Sequence, residues 1–232
     1  MVEIRLSGPG KNALGVALMA DLTRQIQAAA GQPLLVTGEG DAFSAGLNLA
    51  EVLAADTEAM LGFLHALEGL LRALYLHDGP TAAAVNGHAI AGGCLVAMCC
   101  DVRVATDHPR ARIGLNEVAL GLRFPPALLR LVQARISPAH LDEVVLGGAL
   151  HDPAGALRLG FVDELSGDPV ARARERLGAL AAHPREAYAA TKRDLRSYEP
   201  TAAEERRFVD EVLPVWTSAA IKDRIRGFLT RR

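Results

Sequence analysis

The stretch AVNGHAIAGGCLVAMCCD, Ala84–Asp101, sets Gly92 and Gly93 ahead of an apolar run that carries no charge until Asp101. Its spacing predicts a buried helix over Gly92–Cys100. A helix that begins at Gly92 points its first free N–H groups outward, where the macrodipole also favours negative charge. Glycine lets a ligand oxygen approach that backbone without striking a Cβ. Close packing of helix on strand asks for the same glycines, so by themselves they leave both readings open. Phosphate binding of the usual kinds is disfavoured, because the chain has no GxxxxGK[ST] and no GxGxxG opening a βαβ unit. An oxyanion hole remains, in which backbone donors wait for a carbonyl oxygen that gains charge during reaction.

Around this stretch the pattern alternates. Val2–Leu6, Leu34–Thr37, Thr81–Val85 and Val102–Ala105 read as strands, and a helix from about Gly15 is expected to turn Val16, Met19, Leu22 and Ile26 inward. Thr57–His77 repeats apolar residues at helical spacing up to Pro80. Strand-then-helix order argues for an α/β body with a largely parallel sheet. Beyond about Pro125 helical segments dominate, at Leu128–Ala134, Ala139–Leu146, Pro153–Leu159, Val170–Ala182 and Thr201–Leu229, with only Gly160–Leu165 extended. We therefore expect an α/β core over residues 1–125 and a mainly helical region over 126–232 that completes it.

With 232 residues, half of them hydrophobic, and a formal net charge of −2, the chain has a sizeable core and no general electrostatic pull towards nucleic acid or anionic lipid. Cys94, Cys99 and Cys100 lie too close together to staple a domain, and read as buried reduced thiols. The N-terminal residues lack a basic-then-apolar signal pattern, and no uncharged apolar run reaches the ~18 residues of a membrane span. A cytoplasmic protein that binds no membrane is expected.

A second loop repeats the construction. In GDAFSAGLNL, Gly40–Leu49, an apolar strand ends in a tight small-residue turn at Gly46, after which the Leu47 N–H can face a pocket. Two such loops supply two donors to one oxygen. AFSAGLNL together with AVNGHAIAGGCLVAMCCDVRVAT resembles the two signature loops of the crotonase, or enoyl-CoA hydratase/isomerase, superfamily; GLNEVALGL and ALRLGFVDEL resemble its later signatures, in the same order. The resemblance implies a spiral of strand-strand-helix turns, C-terminal helices used in trimerisation (a homotrimer or a dimer of trimers), and an acyl-CoA thioester as substrate, with no cofactor beyond the coenzyme A that the substrate carries. It maps the oxyanion-hole donors onto Leu47 and Gly92, and places Ala45, Gly46, Gly93, Leu95 and Asn116 around the substrate. The chain departs from the family pattern at its start, where a strand usually precedes the one matched by Val2–Leu6, and the edge of the first layer is expected to be clipped.

Family hydratases hold one water between two glutamates. Here the first of those positions is Leu95 and the second Glu117. Leucine neither orients water nor accepts a proton, so hydration lacks one of its parts, while a single acid suffices to carry a proton from the α-carbon of a 3-enoyl-CoA to its γ-carbon. The family's delta-3, delta-2-enoyl-CoA isomerases share this pattern. Apolar neighbours of Glu117 are expected to desolvate its charged form and raise its proton affinity. Asn116, as the neighbour on an extended segment, is expected to face the other way and hold the loop. Hydration with help from another residue, decarboxylation, thioester hydrolysis and non-catalytic acyl-CoA binding are the competing readings. Ser44 lacks a GxSxG context and reads as a packed turn serine; His88 reads as a hydrogen-bonded loop histidine; the remaining histidines have no metal-ligand spacing. Lys11, Lys192 and Arg193 are either contacts for coenzyme A phosphates or solvated surface charges. The helix at Thr57–His77 and the region of Phe124 are expected to wall the acyl pocket.

Overall fold

Leu34–Gly38, Thr81–Val85 and Val102–Thr106 are buried at every position, as parallel strands covered on both faces must be. In the computed structural model, which describes residues 1–196 and 198–230, they are β2, β4 and β6 of a parallel sheet ordered β1-β2-β4-β6-β9, with β1 at Val2–Leu6 on one edge and β9 at Glu164–Ser166 on the other. Each is followed by a short strand, β3 (Ala42–Ser44), β5 (His88–Ile90) or β7 (Ile113–Gly114). These short strands pair in a second sheet, β3-β5-β7-β8, parallel except for β8 (Leu150–His151). A distorted turn, α1 (Pro9–Asn12), and α2 (Val16–Ala28) precede β2; α3 (Leu49–Ala54) and α4 (Thr57–Tyr75) follow β3; α5 (Gly92–Cys99) follows β5. After β7 come α6 (Pro126–Arg135), α7 (Leu141–Val145), β8, α8 (Pro153–Leu159), β9, α9 (Pro169–Ala181), α10 (Arg185–Leu195), α11 (Ala202–Arg207), α12 (Leu213–Thr217) and α13 (Ala219–Leu229). The recurrent strand-strand-helix order is the spiral implied by the resemblance.

The two-residue period of a strand divides the first sheet between two cores. Ala82, Ala84, Val102 and Val104 face Ala173 and Leu177 of α9, while Ala83, Val85 and Ala105 face the main core of α2, α4 and α5. Helix α5 is buried at all eight positions. The three cysteines are buried and free, and burial pushes the Cys100 thiol up to about 12, which leaves it protonated and inert.

Three expectations need correction. Val16 does not join the inward stripe of α2: it occupies the first helical position, where its N–H donates to Glu51 Oε2 at 2.9 Å, and its side chain is exposed. The expected helix Thr201–Leu229 is interrupted by a π-helical stretch, Phe208–Val212, and by a break at Ser218. Pro214 has no N–H to donate back to the preceding turn, which widens there, and Ser218 is extended and caps α13 by accepting from Ile221 N. Helix α10 falls outside the expected helical segments because it buries only Ala189 and Lys192, so its apolar period is faint.

Lys192 is a buried ion-pair partner and not a solvated surface charge. Its Nζ lies 2.9 Å from Asp101 Oδ2 and donates to Gly79 O at 2.9 Å. Asp101 also accepts from Arg196 Nη2 at 2.6 Å, from Tyr188 Oη at 2.8 Å and from Thr81 N at 2.8 Å. Burial by itself raises the Asp101 carboxyl, but Lys192 and Arg196 outweigh it and hold the group below the usual carboxylate range. This cluster pins α10 to the end of α5. Arg193, the neighbour of Lys192, is exposed and paired with Asp78.

Asp101→Ala strands two buried cations, and is expected to lower stability by about 3–5 kcal/mol in urea unfolding at neutral pH. Since the folded-state carboxyl is depressed, the loss relative to the parent persists above the ordinary carboxylate pKa and shrinks as pH falls through the folded value.

Candidate active site

Asn12 organises the first loop. Its Nδ2 donates to Glu39 O and Ala42 O, both at 2.9 Å, while Ser44 Oγ donates to Asn12 O at 2.8 Å. Ser44 is thus a turn staple, as expected. Beyond it the chain meets Leu14 in a parallel bridge: Leu14 N donates to Gly46 O at 2.7 Å and Asn48 N donates to Leu14 O at 2.9 Å. A bridge of this pattern uses the groups on either side of Leu47 and leaves the Leu47 N–H on the face away from Leu14.

The second loop packs directly on the first. A Cβ on Gly92 would lie 2.9 Å from Leu47 Cδ2, and one on Gly93 would lie 2.6 Å from Ser44 Cβ. Gly46 has φ +95°, and a Cβ there would sit 2.8 Å from Ile90 O. The glycines therefore serve the close packing of one loop on the other, the first of the two readings left open by the sequence. Ala91, just before the helix, is held at φ +49°, ψ −119°, an arrangement that costs a non-glycine residue on the order of 1–3 kcal/mol. Its N–H donates to Gly114 O at 2.9 Å and its carbonyl accepts from Leu95 N at 3.0 Å. The first N–H groups of α5, from Gly92 onward, have no acceptor within the helix. Of the residues expected around the substrate, Ala45, Gly46, Gly93 and Leu95 stand in these two abutting loops; Ala45 is partly exposed, whereas Gly46, Gly93 and Leu95 are buried.

The third segment is tied to the second by β5-β7 pairing, Ile90 against Gly114. Three residues beyond Gly114 stands Glu117, 6% exposed, with Oε2 buried and without a hydrogen-bond partner. Burial pushes its carboxyl up to about 7, with the Asn116 and Glu117 backbone N–H groups drawing it back only in part. Cys94, in the first turn of α5, is close enough for the Glu117 carboxylate to add to the effect of burial on its thiol. The two loops and Glu117 accordingly occupy one neighbourhood.

Asn116 differs from expectation. Glu117 is helical (φ −58°, ψ −48°) and opens the turn Val118–Leu120, so the alternation of an extended segment does not apply. Both side chains are buried, and Asn116 Oδ1 accepts no hydrogen bond; its backbone carbonyl, which accepts from Leu120 N at 3.2 Å, does the holding. His88 Nδ1 accepts from Arg112 N at 3.1 Å, at the end of β5 remote from Gly92. Lys11 pairs with Asp41 at 3.2 Å on the surface. Beside the Glu117 turn lies a hollow of about 380 Å³ whose lining includes Val118, Leu122, Phe124 and Val212 together with Arg123 and Arg207. Phe124 borders this hollow; α4 puts Met60, Phe63 and Leu67 into the core and borders a separate hollow with His65 and Glu68.

Sequence reasoning missed the cover. Helix α13 packs on α3 and on the Val118–Leu120 turn: Lys222 Nζ donates to Ala55 O at 2.6 Å, and Trp216 Nε1 of α12 donates to Arg123 O at 3.0 Å. An amphipathic helix shows which of its faces is apolar but not what that face covers. Among the described residues no group of three or more His, Cys, Asp and Glu is placed to hold a metal ion, and no helix is long and apolar enough to cross a membrane.

A raised carboxyl titrates at the expense of the folded state. The penalty is absent below the unfolded-state value of 4.5 and full above about 7. Glu117→Gln is thus expected to stabilise the fold at pH 8 by up to about 3 kcal/mol and to be neutral near pH 4.5, as read from paired unfolding curves.

Comparison with known proteins gives a consistent result. A family model described as enoyl-CoA hydratase/isomerase matches residues 1–230. The human mitochondrial enoyl-CoA delta isomerase 1 is 31% identical over 167 residues, 70% of this chain and 55% of that protein, so the match spans little more than half of the relative. The 2,3-dehydroadipyl-CoA hydratase of Escherichia coli is 32% identical over 83% of this chain and 76% of its own. The crystal structure of human mitochondrial delta3-delta2-enoyl-CoA isomerase superposes with a TM-score of 0.89 at 27% identity, covering 99% of this chain and 92% of that one.

Proposed function

This chain belongs to the enoyl-CoA hydratase/isomerase family, and on that premise we propose that it shifts the double bond of a 3-enoyl-CoA into conjugation with the thioester, giving the 2-enoyl-CoA. The observation that carries the reading is a single buried carboxylate, Glu117, with a free Oε2, combined with Leu95, 1% exposed, where the two-acid hydratases carry their other glutamate.

In this mechanism the thioester oxygen sits between the Leu47 and Gly92 N–H groups. Glu117 Oε2 removes a proton from the α-carbon, and the electron pair moves into the thioester to form a dienolate whose oxygen the two amides stabilise. Loss of one such donor typically costs ~10²–10³-fold in rate. The same carboxyl then returns the proton at the γ-carbon. No water is consumed and no second acid is needed. The desolvated carboxylate suits the task, since a base works best with a pKa near the operating pH. Ala45, Gly46 and Gly93 shape the cradle, and the cavity beside Val118 and Phe124 is the place for the acyl tail.

Hydration is the second reading, favoured by hydratase relatives of similar identity such as the Escherichia coli protein. Offering 3-enoyl-CoA and 2-enoyl-CoA separately decides between them. Conversion of the first without hydration of the second is expected, and rapid hydration of the second with an inert first would falsify the isomerase reading. Glu117→Gln is expected to lower kcat by ~10²–10⁴-fold with KM little changed. In the parent, kcat/KM is expected to rise with pH through about 7 as the free-enzyme base ionises. A carboxylate at its ordinary value would place that rise near 4.5 instead.

A further inference from the structure

The carbonyl end of α5 is as closely served as its N–H end is left open. Arg135, the last residue of α6, donates from Nε to Met98 O at 2.9 Å and from Nη2 to Cys100 O at 2.7 Å. Arg196 donates from Nη1 to Cys99 O at 3.2 Å. The two guanidiniums differ in their counter-charges. Arg196 is paired with Asp101, whereas Arg135 has no carboxylate within ion-pair distance among the described residues. The acid whose field reaches it, Asp163, is already held by Arg103.

A partly buried cation without an acid partner is costly unless its environment gains from it. Here the gain goes to one helix. All the side-chain hydrogen bonds of Arg135 end on carbonyls that close α5, and the helix is only about 12 Å long at 1.5 Å per residue. A positive charge at that end offsets the negative end of the macrodipole, and two fixed carbonyls set the helix's axial position. The charge acts on the last turn, while the axial position is carried by the short rigid helix to Gly92, which packs close to Leu47.

We propose that Arg135 is a positioning residue for the anion-facing end of α5, fixing and neutralising its carbonyl end so that the Gly92 N–H meets developing negative charge at a set point. The role rests on the oxyanion part of the proposed function, acts through the helix, and requires no contact with substrate. Burial and the repulsion of Arg103 and Arg196 press the Arg135 pKa down, in keeping with a charge retained against its surroundings.

The test compares Arg135→Gln and Arg135→Lys with the parent in two assays. One is turnover of 3-enoyl-CoA; the other is exchange of solvent deuterium into the α-carbon of butanoyl-CoA, which reads enolate formation whatever the net reaction. Arg135→Gln is expected to lower kcat and the exchange rate together by about tenfold, about 1.4 kcal/mol in barrier. Its KM should stay within about twofold of the parent, because ground-state binding is untouched. Arg135→Lys keeps the charge but loses the planar two-point fork, and should fall between the Gln variant and the parent, within about fivefold of the parent in both rates. A folded Gln variant with parental rates overturns the proposal, as does a folded Lys variant with a tenfold loss, which would leave the charge without effect. The Lys result stands alone if the Gln variant does not fold. A parent that exchanges deuterium but leaves 3-enoyl-CoA unchanged refutes the isomerase reading and leaves this test intact; a parent that does neither overturns both.

Discussion

Backbone groups at the ends of a helix need partners, and α5 is buried at every position, so bulk water supplies few of them. Its C-terminal carbonyls are taken by Arg135 and Arg196. Among the described residues its first N–H groups have no comparable partner. The strained Ala91 and the glycines at 46, 92 and 93 let the neighbouring loop come close without filling that end. A short helix whose carbonyls are partnered and whose first N–H groups are not is the dipole on which the proposed chemistry rests, and other elements meet near it: β5 and β7 deliver Glu117, and α13 packs on the turn that Glu117 begins.

The price of that arrangement is visible in three places. Ala91 sits where a non-glycine backbone is strained, Glu117 is buried with an unpartnered oxygen, and Asn116 Oδ1 beside it is also unpartnered. Buried acceptors without donors are rare in folded chains, and two in succession mark a place tuned for something other than stability. The compensation is the surrounding packing. A double core on either side of the first sheet, and the Asp101 cluster that ties α10 to the end of α5, hold the strained residues in place.

Much of this was legible in the residues. The buried strands, the glycine loops and the isolation of Glu117 among apolar neighbours are local properties, and local periodicity and turn chemistry carry them. What was not legible depends on distant partners. Val16 continues the apolar period of α2, yet it stands exposed at the first helical position, where its N–H is taken by Glu51 from far along the chain. Lys192 carries the same charge as any surface lysine, and only the approach of Asp101 makes it a buried one. Asn116 was misread through a wrong local conformation: three residues beyond a strand, the backbone had already turned helical at Glu117.

The sequence by itself determined which groups are available: two small-residue loops able to expose backbone amides, one acid with apolar neighbours, a leucine where a second acid would otherwise stand, and the alternation that builds a parallel sheet. These follow from side-chain size, charge and period, which a chain carries before it folds. The tertiary structure decided what they do together. It set Gly92 against Leu47, brought Glu117 to the first turn of α5, buried that carboxyl until its proton affinity rose, and placed Arg135 at the far end of the same helix. Distance, desolvation and the direction of a dipole arise only when remote segments meet, and on these the proposed chemistry depends.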